Sequence, residues 1–164
     1  MATVYFFHGS HSSPKSTKIQ HLKQIALAHD WHVNIPDHSA IRDPDARVAD
    51  MLENDSFADE KIILVGSSMG GYVATVLSEH VRPAGLFLLA PAFYLANYQQ
   101  QDPKPYADKI AIIQGWNDDV VPVANSIRFA QNYKTSLDIV DGSHNLRENI
   151  PIIAELFTNF LQNT

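Results

Sequence analysis

The 164-residue chain reads as an α/β protein of three layers, α/β/α, built on a mostly parallel sheet of about six strands. Three observations predict this. Short apolar runs recur at 3–7, 31–35, 61–66, 84–90, 109–114 and 136–140, each of strand length. Segments with helical spacing lie between most of them, and strand–helix–strand connections are right-handed crossovers that give a parallel sheet covered on both faces. The composition is that of an ordinary globular domain, 45% hydrophobic and 18% charged. A chain of this size buries roughly 70% of its unfolded surface, so residues 1–164 are expected to form a single domain.

Taken in order, the run at 3–7 is followed by Ser13 and Pro14, which read as the cap and opening position of a helix with Ile19, Leu22, Ile25 and Ala26 on one face. Residues 43–54 carry a weaker helical pattern through Ala46, Val48, Ala49 and Leu52. The third strand leads through Gly66-Ser67-Ser68-Met69-Gly70-Gly71 into a helix over 72–80 that is apolar almost all round, which predicts a central, buried position. The longest connection follows the fourth strand, from Pro91 to about Asp108, and holds Phe93, Tyr94, Leu95, Tyr98 and Tyr106. A helix after Pro122 uses Ile127, Phe129 and Ala130. The last one presents Ile152, Ile153, Leu156, Phe157, Phe160 and Leu161 as a stripe.

Several functions are excluded by composition. The net charge is −6 with no basic run, so nothing attracts nucleic acid or an anionic membrane surface. The absence of cysteine removes disulfides, thiolate catalysis and Cys-based zinc sites. Met1 leads almost directly into a strand, without a basic flank or cleavage site, and no apolar run approaches a membrane span, so a cytoplasmic protein is expected. His8 and His11 are three apart but lack a third partner, so no metal is expected, and no cofactor. His21, His29, His32, His38 and His80 read as surface or internally satisfied histidines.

Gly66-x-Ser68-x-Gly70 sits on a strand-to-helix turn, where a strained backbone pushes the central side chain out above the sheet. Centring the pattern on Ser67 would place Val65 and Met69 at flanks that need small residues. A plain loop or a phosphate cradle at a helix N-terminus are the alternatives, although the lysine of a P-loop is missing. In parallel sheets ligands bind beyond the carboxyl ends of the strands. Those ends carry His8-Gly9-Ser10, Ser68, the segment Gln114 to Pro122 with Asp118, and Asp141-Gly142-Ser143-His144. A serine needs a base within hydrogen-bond reach, and the base needs an acid to fix its tautomer. Ser68, His144 and Asp118 are candidates for these roles, each on its own β–α unit. Asp118 could instead cap the helix after Pro122, with Asp119 beside it, and His144 could be a loop histidine.

These motifs together, His8-Gly9, Gly66 to Gly71, Gly115-x-x-Asp118-x-x-Val121-Pro122 and Gly142-Ser143-His144, resemble the α/β-hydrolase superfamily in order and over most of the chain. The stretches from His8 to Lys18 and from Gly66 to Tyr72 are similar to small bacterial esterases of the YqiA type. The retinoblastoma-binding-protein-9-like serine hydrolases are a second compact group of this kind. The resemblance implies a minimal α/β-hydrolase fold without a full cap domain or the two N-terminal antiparallel strands. It implies Ser68 as nucleophile, His144 as base, Asp118 as acid, and an oxyanion hole from the backbone N–H groups of Ser10 and Met69. The alternative acid position after the fourth strand, at Ala90-Pro91-Ala92, holds no carboxylate. Ser10 stands where YqiA-type proteins carry a bulky apolar residue, which implies a more polar pocket wall.

The expected reaction is acyl transfer to water on a small-molecule ester or thioester with a small to medium acyl group. Candidate substrate contacts are His8, Gly9, Phe93 and Tyr94, the last two as part of an aromatic wall or small lid formed by 91–108. His8 could equally be a structural hydrogen-bonder, and the aromatics could pack on the sheet without touching a ligand. The rivals are an amide or carbon–carbon bond as target, and a hydrolase fold with an inert serine used for binding. The oligomeric state is left open.

Overall fold

The computed structural model describes residues 1–164. Six strands form one sheet, β1 (Ala2–Phe7), β2 (His32–Asn34), β3 (Lys61–Ser67), β4 (Gly85–Leu89), β5 (Lys109–Gly115) and β6 (Ser136–Val140), in the order β2-β1-β3-β4-β5-β6. Every pairing is parallel, including β2 and β6 at the edges. Five helices connect or follow them: α1 (Thr17–Ala28), α2 (Pro44–Asn54), α3 (Met69–Val81), α4 (Val123–Tyr133) and α5 (Ile150–Gln162).

Alternation along the strands divides the core into two layers. Val4, Phe6, Ile63, Val65, Phe87 and Ile113 face α1 and α5, where Phe157 and Phe160 pack on Phe87 at centroid separations of 5.0 and 5.3 Å. Tyr5, Phe7, Leu64, Leu86, Leu88 and Ile112 face the opposite side, which α2, α3 and α4 cover. The central helix α3 is buried at every position from Met69 to Ser78, as its unbroken apolar pattern predicts. On α5 the stripe is narrower than the sequence suggests: Ile153, Phe157, Phe160 and Leu161 are buried, while Ile152 points outward.

Two expectations are corrected. Helix α1 is capped by Ser16, whose hydroxyl accepts from the Ile19 N–H at 3.3 Å, and not by Ser13. Ser13 instead accepts from the Lys15 N–H at 3.2 Å, a local turn that competes with helix initiation. Segment 91–108 forms neither lid nor site wall, because its aromatics pack backwards onto α3 and α4. Phe93 stacks on Phe129 with centroids 4.0 Å apart, and Tyr98 meets Tyr72 edge-on at 4.8 Å. Tyr94 lies under the Arg128 guanidinium at 3.9 Å, and its hydroxyl and that of Tyr133 both donate to Asp102. No helix is long and apolar enough to cross a membrane.

Candidate active site

The strand order reverses direction between β1 and β3: from β1 the chain moves outward to β2, and from β3 it moves the other way to β4, β5 and β6. The loops leaving β1 and β3 therefore diverge to opposite faces and open a crevice at the carboxyl edge. Ser68 stands at this switch point, between the end of β3 and the first residue of α3. Its backbone adopts φ 55° and ψ −116°, a conformation costly for a residue with a Cβ. Two cross-links to the neighbouring strand hold it there: the Ser68 N–H donates to the Leu89 carbonyl at 2.9 Å, and the Ser68 carbonyl accepts from Ala92 at 3.0 Å. Gly66 and Gly70 make the bend possible. A Cβ on Gly66 would collide with the Gly70 carbonyl, and one on Gly70 with the Phe7 carbonyl. Ser67 has no such strain, and its hydroxyl accepts from the Lys18 ammonium at 3.1 Å.

Three side chains from separate loops meet above this edge. His144 Nε2 lies 3.0 Å from Ser68 Oγ, and its Nδ1 lies 2.8 Å from Asp118 Oδ2. A carboxylate accepts only, so Nδ1 carries the proton and Nε2 presents its lone pair to the serine hydroxyl. The Asp118 side chain is fully buried and its remaining lone pairs are occupied. Oδ1 accepts from the Val120 and Val121 N–H groups at 2.9 and 2.7 Å, and Oδ2 also accepts from the Gln114 amide at 2.8 Å. The loops after β5 and β6 are tied to each other, since Trp116 donates to Val140 and Asn117 to Gly142. The spacing between the acid and the imidazole is thus set by backbone, not by flexible side chains. Asp119 is exposed and makes none of these contacts.

The loop after β1 forms the other rim. A Cβ on Gly9 would lie 3.5 Å from the Ser68 Cβ, so this backbone runs directly alongside the serine. The N–H groups of Ser10 and Met69 have no hydrogen-bond partner within the protein, as an oxyanion site requires. His8 is buried beneath the loop. Its Nε2 accepts from the His38 N–H at 3.0 Å, so Nδ1 carries the proton and donates to the Gly9 carbonyl at 2.9 Å. Burial pushes the His8 imidazole pKa down and keeps it neutral. Arg47, also buried, donates from Nη1 to the His8 carbonyl and from Nε to the Ile41 carbonyl, both at 2.8 Å. His8, His38 and Arg47 thereby frame the loop and do not reach the cleft.

The cleft beside Ser68 has a volume of about 640 Å³ and is lined between Gly9 and Lys18, and by Ser39, Ser67, Ser68, His144, Asn145 and Arg147. No hydrophobic side chain takes part. Among the sequence candidates, Gly9, Ser10, Ser68 and His144 line it, whereas Phe93 is fully buried in the core and Tyr94 faces α4. Four residues near the site were not among the candidates: Gln114, which links Asp118 to the buried Ser126 hydroxyl, Arg147 on the rim, and Lys15 and Lys18, which the sequence marked only as part of the stretch from His8 to Lys18. The Lys18 ammonium pKa is pushed down to about 8, chiefly by burial and then by the Arg147 charge, with Asp118 acting in the opposite sense.

Comparison with known proteins agrees with this architecture. A protein from Xanthomonas campestris pv. campestris assigned to the alpha/beta-hydrolase superfamily superposes with a TM-score of 0.89 at 26% identity, over 100% of both chains. The ydeN gene product of B. subtilis gives 0.80 at 20% identity, over 99% of this chain and all of its own. The esterase Pf2001 of Pyrococcus furiosus gives 0.75 at 19%, over 99% of this chain and 82% of its own. The model of the "Uncharacterised protein family (UPF0227)" matches residues 3–105, which takes in the loop after β1 and the turn at Ser68 but ends before Asp118 and His144. With well over half its length in that match and its fold shared with hydrolases of the same superfamily, the chain belongs to the UPF0227 family of the alpha/beta-hydrolase superfamily.

Proposed function

We propose that this protein is a serine hydrolase that cleaves esters or thioesters of small to medium acyl groups through an acyl-enzyme intermediate. The observation that carries the proposal is the unbroken hydrogen-bond chain from Ser68 Oγ through the His144 ring to a buried, fully partnered Asp118. The esterase among the fold neighbours is consistent with this chemistry.

Ser68 Oγ attacks the substrate carbonyl while His144 Nε2 takes its proton, and Asp118 stabilises the resulting imidazolium. The carbonyl oxygen, now negative, is held by the N–H groups of Ser10 and Met69, each worth about 3 kcal/mol in comparable sites. The Met69 N–H is the first of α3, so the positive end of the helix dipole adds to the same pole. Collapse expels the alcohol or thiol, which leaves with the proton from His144. Water then gives a proton to Nε2 and attacks the acyl carbon, releasing the acid and restoring Ser68. Turnover of p-nitrophenyl butyrate by the purified protein, lost on Ser68→Ala substitution with the fold retained, tests this reading. Equal rates in the two proteins would refute it.

A further inference from the structure

The walls of the cleft have an unusual chemical character. Ligand sites usually present apolar surface with a few polar groups, but here no apolar side chain and no carboxylate lines the space around Ser68. Its charged groups are Lys15, Lys18 and Arg147, all cationic, on a chain whose net charge is −6. None of the three has a carboxylate within 4 Å. Lys18 is half-buried, and its ammonium touches only a neutral hydroxyl, that of Ser67, the residue next to Ser68. A desolvated ammonium with no carboxylate in contact is unfavourable for the fold, and surrounding hydroxyls together with the more distant Asp118 recover only part of its lost hydration. An alkyl chain entering this space would find nothing apolar to pack against, whereas an anionic group would meet three cations free of any contacting carboxylate and a ring of hydroxyl donors.

We propose that the cleft is an anion subsite in which Lys18 and Arg147, with the exposed Lys15 at the rim, bind a carboxylate or phosphate carried by the substrate a short distance from its scissile carbonyl. This rests on the reading of Ser68 as nucleophile, and it narrows the substrate class from acyl esters in general to polar esters with an anionic arm. Burial and the Arg147 charge depress the Lys18 pKa, and a bound anion would raise it again.

The test compares matched ester pairs on the wild-type protein: monomethyl against dimethyl glutarate for a carboxylate, and the acetate ester of glycerol 3-phosphate against glyceryl monoacetate for a phosphate. The expected result is a kcat/KM at least about tenfold higher for the anionic member of one pair, with the pair itself telling carboxylate from phosphate. Lys18→Met and Arg147→Gln should each reduce that ratio about tenfold, and Lys18→Arg should retain it. Because the ratio is taken within each variant, a general loss of activity does not imitate the effect. Should a variant turn over neither ester, slowing of fluorophosphonate labelling by glutarate or inorganic phosphate replaces the ratio, with protection expected in wild type and lost in Arg147→Gln. Ratios near or below one for both pairs, together with no protection, would overturn the proposal. If the wild-type serine neither labels nor turns over any ester, the nucleophile reading fails by itself. Calorimetric titration of glutarate and phosphate into wild type and Lys18→Met then decides the subsite: binding weakened by the substitution supports it, and no binding overturns it.

Discussion

His144 Nε2 reaches within 3.0 Å of Ser68 Oγ across 76 positions of chain, and the same ring is held from behind by Asp118 at 2.8 Å. The first contact makes a hydroxyl reactive only if the second fixes which nitrogen bears the proton. Asp118→Asn would place an amide where Val120, Val121 and Gln114 all donate, so it must turn and offer His144 the wrong partner. The expected outcome is a loss in kcat of about 10³- to 10⁴-fold with little change in KM, read from p-nitrophenyl butyrate kinetics.

The backbone at Ser68 is strained, at φ 55° and ψ −116°. Ser68→Ala keeps the Cβ and the strain, whereas Ser68→Gly removes both. The glycine variant should be more stable than the alanine variant by about 1 kcal/mol, or about 2–4 °C in Tm for a chain of this size. Calorimetry of the two variants decides it, and a glycine variant less stable by the roughly 0.5–1 kcal/mol that glycine costs through the unfolded chain would show that the bend is unstrained.

Gln114 is hydrogen-bonded to Asp118. Fully buried, it donates to Oδ2 at 2.8 Å and accepts from Ser126 at 2.8 Å. Gln114→Leu leaves Ser126 unpartnered and removes one donor from the carboxylate, which should lower stability by about 1–3 kcal/mol. As a positioning residue it should also lower kcat by about tenfold while KM stays within a factor of about two. A variant that is destabilised yet retains wild-type kcat would reduce Gln114 to a packing role.

The fold was readable because parallel strands buried on both faces are continuous apolar runs, and each of the six lies within two residues of its predicted place. Ser68, Asp118 and His144 stood out because each follows a strand, where topology gathers loops at one edge. What escaped depends on direction. The aromatics of 91–108 are equally suited to a ligand or to a helix, and Phe129 and Tyr72 took Phe93 and Tyr98. Lys18 lies on a helix face that could have been solvated, and the fold instead brings its ammonium to the Ser67 hydroxyl at 3.1 Å. Ser13 itself showed why a serine–proline pair is an ambiguous helix start: its hydroxyl found the nearer amide.

The state of Lys18 sets a pH dependence. With its pKa near 8, the ammonium is charged below that pH and neutral above it. The kcat/KM for monomethyl glutarate, whose carboxylate stays ionised across this range, divided by that for dimethyl glutarate, should therefore fall as pH rises through about 8. His11, His144, Lys15 and Arg147 also line the cleft, so the Lys18→Arg variant is what assigns the fall to Lys18. In Lys18→Arg the ratio should hold to higher pH. A wild-type ratio that is flat from pH 6 to 9.5 would remove Lys18 from substrate recognition.

In the proposed mechanism one serine of the Ser67-Ser68 pair is activated by one histidine. Mass-spectrometric mapping of the site labelled by a fluorophosphonate, with rates compared between wild type and His144→Ala, tests it directly. A single adduct on Ser68 is expected, formed at least about 100-fold more slowly without the imidazole. An adduct on Ser67, no adduct at all, or labelling that proceeds as fast without His144 would contradict it.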